Sequence, residues 1–143
     1  MSPIPLSLRR ALRAEFPEPR CAYCHSPEQL LGMPLEVDHI IPEAASGKTE
    51  LANVCLCCRT CNSYKGRRIY ARDPLTGRQA RIFHPRRQQW RRHLAWSADG
   101  VRLIGLTASG RATIEALQMN NHLIAHLRQL WSALRLHPRE QAP

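Results

Sequence analysis

The sequence predicts a small α+β protein, and three observations predict it. Two Cys-x-x-Cys pairs, Cys21/Cys24 and Cys58/Cys61, bracket the first half of the chain. Between them, Leu35 to Ile40 alternates apolar with polar residues and Asn53 to Cys57 forms a second short run, the pattern of two paired strands. Toward the C-terminus, Leu123, Ile124, Leu127, Leu130, Trp131 and Leu134 recur at the spacing of a helix.

Taken in order, Leu6, Leu8, Ala11, Leu12 and Phe16 predict a helix over 6–16 with arginines on its other face, ended by Pro17-Glu18-Pro19. The first cysteine pair follows at once. A strand over 35–40 is stopped by Pro42, a loop carries Gly47, a second strand over 53–57 runs into the second cysteine pair, and a helix fits between Thr60 and Arg72. This makes residues 21–70 a ββα core. Residues 67–92 hold nine arginines against Asp73 alone, and Pro74, Gly77 and Pro85 predict loop and short helix there. A hairpin is expected over 93–106, with Trp96 in one strand, Ser97-Ala98-Asp99-Gly100 as the turn and Val101 to Ile104 in the other. Thr107 or Ser109 can cap a helix through Leu117, before the final helix. We read 1–143 as one domain, with 71–143 an arginine-rich segment, hairpin and helices appended to the core.

The chain has 143 residues and a mass of 16.3 kDa, and its 43% hydrophobic content with 6% aromatic residues and eleven prolines allows only a modest core. Chains of this kind benefit from staples. The 21 basic residues outnumber 11 acidic ones, giving +10, and 19 of the 21 are arginine, whose planar fork grips phosphate with two parallel hydrogen bonds. That balance excludes an ordinary acidic enzyme and favours nucleic acid over protein as partner. No apolar run approaches the roughly 18 residues of a membrane helix. Residues 1–20 have prolines at 3, 5, 17 and 19 and no apolar signal core, so the expected location is the cytoplasm.

In a reducing compartment the cysteines point to metal rather than disulfides. Cys21, Cys24, Cys58 and Cys61 supply four thiolates, a closed tetrahedral shell for one structural Zn²⁺ with no position open for catalysis. Cys55 and Cys57 suit a strand core, with Cys57 an alternative to Cys58 as ligand. Cys21-Ala22-Tyr23-Cys24-His25 also spells the attachment sequence of a c-type haem, but that chemistry needs an exported chain and leaves the second pair unexplained.

The middle of the chain reads Asp38-His39-Ile40-Ile41-Pro42, then Gly47, Asn53, Cys58-Arg59-Thr60-Cys61-Asn62 and Lys65. Over residues 21–68 this resembles the HNH endonucleases of the ββα-metal class, in the treble-clef-like form with zinc knuckles and a final asparagine in place of histidine. The resemblance implies cleavage of DNA, expected to be double-stranded, by a water activated at His39. An imidazole that titrates near pH 6.5 is suited to accepting that proton. Asp38 and Asn62 match ligands of a catalytic divalent cation, and their oxygens suit Mg²⁺ or a similar hard ion. Asn53 matches a residue that holds the hairpin loop and the orientation of His39. Lys65 and Arg67 match groups that steady the scissile phosphate. The phosphate-gripping surface is expected at Lys65, Arg67, Arg68, Arg86, Arg87, Arg91 and Arg92, beside the cleft. Residues 73–131 also resemble the tail of bacterial HNH proteins through Pro74-Leu75-Thr76-Gly77-Arg78 and Gly105-Leu106-Thr107, which implies no chemistry.

Neighbours in a regular strand point to opposite faces, so Asp38 and His39 serve one site only if the strand ends or twists there. A zinc-containing nucleic-acid-binding module without catalysis would share the knuckles and the basic stretch, and the intact Asp38, His39 and Asn62 argue against it. A protein-interaction module would instead bury Trp96, Trp131 and the tail helix against a partner. His122 and His126, four apart, read as a helix face, since no acid lies near them.

Overall fold

The computed structural model describes residues 3–138. Its organising element is an antiparallel hairpin of β1 (Glu36–His39) and β2 (Val54–Cys57), with Asp38 opposite Cys55 and His39 opposite Val54. Cross-strand partners share a face, so Glu36, Asp38, Cys55 and Cys57 lie on one side and Val37, His39, Val54 and Leu56 on the other. All four residues of β2 are buried, which suits its run of Val, Cys and Leu.

Helix α1 (Leu6–Glu15) buries Leu12 and packs against β2. Its polar face is tied down at two points: Arg13 grips Glu28 at 2.7–2.8 Å, and Glu15 accepts from Arg86. A four-residue helix, α2 (Glu28–Leu31), follows the first cysteine pair. After β2, helix α3 (Arg59–Lys65) starts at Cys58, whose Sγ accepts from the Cys61 N–H. Periodicity predicts this helix as far as Arg72, but it stops at Gly66, whose φ of +54° is a conformation glycine tolerates and other residues rarely adopt.

Residues Tyr70–Arg72 therefore form a strand, β3, paired with β4 (Gln79–Arg81) inside a stretch that composition predicts to be loop and short helix. The turn is built by Asp73, whose Oδ1 accepts from the Leu75 N–H and whose Oδ2 accepts from the Thr76 hydroxyl. Arg111 donates to both oxygens of Asp73 at 2.9 and 3.0 Å, fastening this hairpin to α5 (Ala108–Ala116). Between them, the short α4 (Trp90–His93) leads into the β5 (Leu94–Trp96) and β6 (Leu103–Gly105) hairpin.

Thr107 caps α5 by accepting from the Gly110 N–H, and Asn121 caps α6 (His122–Ala133) by accepting from Leu123 and Ile124. The buried stripe of α6 is Ala125, Arg128 and Trp131, whereas Leu123, Leu130 and Leu134 face outward. His122 and His126 are exposed on this helix, as the spacing suggests. Among the described residues, mixed short helices and three two-stranded antiparallel sheets make an α+β fold. Among the described residues no helix is long and apolar enough to cross a membrane.

Candidate active site

The loop joining β1 to β2 is closed by Asn53. Its Oδ1 accepts from the Ile41 N–H, and its Nδ2 donates to the carbonyls of Ile41 and Lys48, all at 2.9 Å. Three bonds from one buried amide satisfy loop groups that would otherwise cost free energy inside the protein. The loop passes so tightly that a Cβ on Gly47 would sit 1.7 Å from the Ile41 carbonyl oxygen, so only glycine fits.

Strand β1 ends at His39, and the chain turns back at once through Pro42 and Glu43. This ending resolves the alternation problem: Asp38 and His39 leave the strand on opposite faces yet line one cleft of about 610 Å³ together with Asn62, Glu36, Arg59 and Arg67. His39 is largely buried, and its Nε2 lies 2.9 Å from the Thr49 hydroxyl and 3.6 Å from Glu43 Oε1. Thr49 in turn donates to Glu43 at 3.2 Å. With Nε2 so engaged, Nδ1 is the nitrogen left to accept a proton.

Asp38 is held from below. The Tyr23 hydroxyl donates to its Oδ2 at 2.8 Å, and the Lys65 ammonium sits 3.0 Å from Oδ2 and 3.3 Å from Oδ1. Burial pushes the Asp38 carboxyl above the usual range, with Lys65 and the Tyr23 hydroxyl pulling it back. Asn62, one turn before Lys65 on α3, donates its Nδ2 to Glu36 Oε1 at 2.9 Å, which leaves its Oδ1 open. Asn62 thus pairs with Glu36 rather than Asp38, although all three line the cleft. Carboxylate and amide oxygens are the donor type that a hard cation such as Mg²⁺ takes, and in this structure both Asp38 oxygens already face Lys65 or Tyr23.

The structure parts the expected basic residues into different roles. Lys65 is 1% exposed, and its three donors are spent on Asp38 and, at 3.0 Å, the His39 carbonyl. Its ammonium faces Asp38 and the His39 carbonyl inside the protein, and the side chain does not line the cleft. Arg86 is likewise occupied: Nε donates to the Val54 carbonyl at 2.9 Å and both terminal nitrogens to Glu15. Arg68 donates to the carbonyls of Tyr64 and Ala116, closing the end of α3. Arg87, Arg91 and Arg92 are exposed, but of the expected arginines only Arg67 lines the cleft, and Arg87 borders a separate cavity with Phe16 and Trp90. Sequence reasoning misses Tyr23, Glu36, Glu43, Thr49 and Arg59. Alternation along β1 was a signal for Glu36, which shares a face with Asp38. The others become visible only when the loop and α3 are folded back.

The Sγ atoms of Cys21, Cys24, Cys58 and Cys61 all lie within 4.8 Å of one another, and all four residues are buried. Tetrahedral zinc with bonds of about 2.3 Å separates its sulfurs by roughly 3.8 Å. The Cys24–Cys58 distance is 3.8 Å, and the Cys24 and Cys61 N–H groups donate to the sulfurs of Cys21 and Cys58. The geometry therefore fits one structural zinc. It selects Cys58 as the ligand: Cys57 lies outside the cluster, and burial pushes its thiol and that of Cys55 up, keeping both as protonated core residues.

Compared with known families, residues 21–68 match the model described as HNH endonuclease, which takes in both knuckles, the β1–β2 hairpin and α3, about a third of the chain. Neither the curated proteins nor the solved structures yield a match.

Proposed function

We propose, for a chain that carries an HNH endonuclease domain at residues 21–68, that the cleft hydrolyses a phosphodiester bond of DNA, with duplex DNA as substrate. The observation that carries this reading is the His39 imidazole at the end of β1, fixed through Nε2 by Thr49 and sharing its cleft with Asp38 and Asn62. His39 takes a proton at Nδ1 from a water molecule. The water oxygen forms a bond to phosphorus in line with the P–O3′ bond. That bond breaks, leaving a 5′ phosphate and a 3′ oxygen that takes up a proton from solvent. Asp38 and Asn62 would hold the divalent cation, and Glu36 lies close enough to Asn62 to orient its amide. When bound, Mg²⁺ or a similar cation supplies positive charge to the phosphate and to the leaving oxygen.

Asn53 keeps the loop that carries His39 from opening, and Lys65 keeps Asp38 in place. Arg59 and Arg67, both exposed at the cleft, contact phosphates to either side, so binding depends on backbone charge more than on base identity. The four cysteines would hold zinc in a structural role, since four thiolates leave no open position.

Incubation of the purified protein with supercoiled plasmid, in Mg²⁺, in Mn²⁺ and in EDTA, tests the reading. The parent converts plasmid to nicked or linear form only with a divalent cation. His39→Ala loses at least about 100-fold in rate, the lower bound for a positioned general base, while zinc content and DNA binding stay near parental. Cleavage by His39→Ala at the parental rate overturns the assignment.

A further inference from the structure

Arg128, on the buried stripe of α6, lies well beyond the matched segment. Its side chain has no solvent exposure, and its chemistry is incomplete. Of its nitrogens, Nη1 donates to the Val101 carbonyl at 3.1 Å and to Asn120 Oδ1 at 3.2 Å. Nε and Nη2 are buried with no hydrogen-bond partner, and no carboxylate forms an ion pair with the guanidinium among the described residues. The Trp96 ring, whose centroid lies 5.0 Å from the guanidinium carbon, offsets only part of the desolvation. A fully buried cation with two unpaired donor groups costs several kcal/mol, on the order of a broken buried ion pair, unless an anion stands nearby.

The anion is indicated by what surrounds it. Arg128 lines the same cavity of about 540 Å³ as Cys24, Cys58 and Cys61. Four thiolates around a divalent cation carry a net charge of about −2, and sulfurs in such a site accept hydrogen bonds. The backbone gives Cys21 and Cys58 one N–H each, and Ser26 lies at 3.1 Å from Cys24. These contacts are neutral.

We propose that Arg128 is the counter-ion of the four-cysteine metal centre, its guanidinium acting on the thiolates across the cavity they share and so holding the C-terminal helix onto the knuckles. The electrostatics agree: burial pushes the guanidinium pKa down, and the charges that push it back up are those of Cys24, Cys61, Cys58 and Cys21. Residues 21–68 then supply the ligands, while a residue outside them supplies the balancing charge. The inference is independent of the chemistry in the cleft.

The test uses the full-length zinc-loaded protein and three variants. Arg128→Met keeps length and removes charge. Arg128→Gln keeps an N–H donor without charge, and Arg128→Lys keeps charge without the fork. Zinc transfer to a chromogenic chelator is followed optically, and the cobalt-substituted proteins are compared through their thiolate-to-cobalt absorption. Arg128→Met and Arg128→Gln are expected to release zinc about 10- to 100-fold faster than the parent, the usual effect of losing a group that supports metal ligands. Their charge-transfer bands move to lower energy, because sulfur lone pairs rise when the neighbouring cation is removed. Arg128→Lys falls between them and the parent. Should Arg128→Met not fold, Arg128→Gln provides the same contrast. Trp96→Leu, which disturbs the packing of Arg128 but leaves its charge, should leave the band in place. Parental release rates with an unshifted band in the uncharged variants overturn the proposal, as does a band shift in Trp96→Leu equal to theirs.

Discussion

Replacing Lys65 with methionine separates two accounts of that residue. Its ammonium makes contacts of 3.0 and 3.3 Å to the Asp38 carboxylate and 3.0 Å to the His39 carbonyl, and the paired side chains are 1% and 6% exposed. At about 3 Å and an effective dielectric of about 20, the attraction is roughly 5 kcal/mol. The measured cost of removing one partner from such a buried pair is about 3–5 kcal/mol, since the other charge is left uncompensated. For a chain of this size that lowers Tm by roughly 10 °C. In Lys65→Met the carboxylate keeps the Tyr23 hydroxyl at 2.8 Å and the Cys55 thiol at 4.0 Å, both neutral donors. The double variant Asp38→Asn/Lys65→Met removes the stranded charge, so it should recover about 2 kcal/mol or more of the loss, read as a coupling energy. Urea unfolding of the zinc-saturated proteins measures both quantities. A residue that gripped phosphate would behave oppositely: stability would hardly change and the salt dependence of DNA binding would weaken by one contact. A loss below about 1 kcal/mol in Lys65→Met, or no recovery in the double variant, refutes the positioning role.

Four further outcomes follow. Metal analysis should find one zinc per chain, and Cys58→Ser should lose it together with the cooperative melt, because a closed thiolate shell contributes folding free energy directly. Substituting Arg59 and Arg67 with glutamine should flatten the slope of log affinity against log salt by about 1.8, at about 0.9 per phosphate contact, in a titration run on His39→Ala protein. Arg86→Gln should leave that slope unchanged and instead lower stability by about 1–2 kcal/mol, since its partners are Glu15 and the Val54 carbonyl. The fork of Arg111 holds the Asp73 carboxyl well below the usual range, with the Leu75 N–H and the Thr76 hydroxyl adding to it. A depressed carboxylate stabilises the fold above its unfolded pKa of about 3.9 and loses that contribution as pH falls. The difference in urea midpoint between the parent and Asp73→Asn should therefore be flat from about pH 8 to 5 and close below about pH 4.

Much of the cleft was legible because its signals are local. Asp38 and His39 are adjacent, Asn53 and Asn62 sit at fixed offsets, and the cysteine pairs announce themselves by spacing. What was not legible depends on which groups a folded chain brings together. Nine arginines between Arg67 and Arg92 read as one surface, yet Arg86 turns inward to α1 and β2 and Arg68 back onto helix ends. Net charge along a sequence carries no information on which charges find internal partners. The helix expected through Arg72 failed at Gly66, where backbone freedom outweighed the periodicity of the following residues, and the side-chain turn at Asp73 then favoured a hairpin. The apolar spacing of α6 was real, but it located the helix without revealing that a charged residue occupies the centre of its buried side.

Tyr23 stands between the two thiols of the first knuckle and donates its hydroxyl to Asp38 across the hairpin. One aromatic side chain thus joins the first cysteine pair to the Asp38 carboxylate. The order of the sequence gives this a temporal sense. During synthesis Cys21, Tyr23, Asp38 and His39 emerge before Cys58 and Cys61, and the clamp needs both pairs. A nascent chain thus holds Asp38 and His39 before it holds the frame that sets them, and that frame is complete only with the last cysteine.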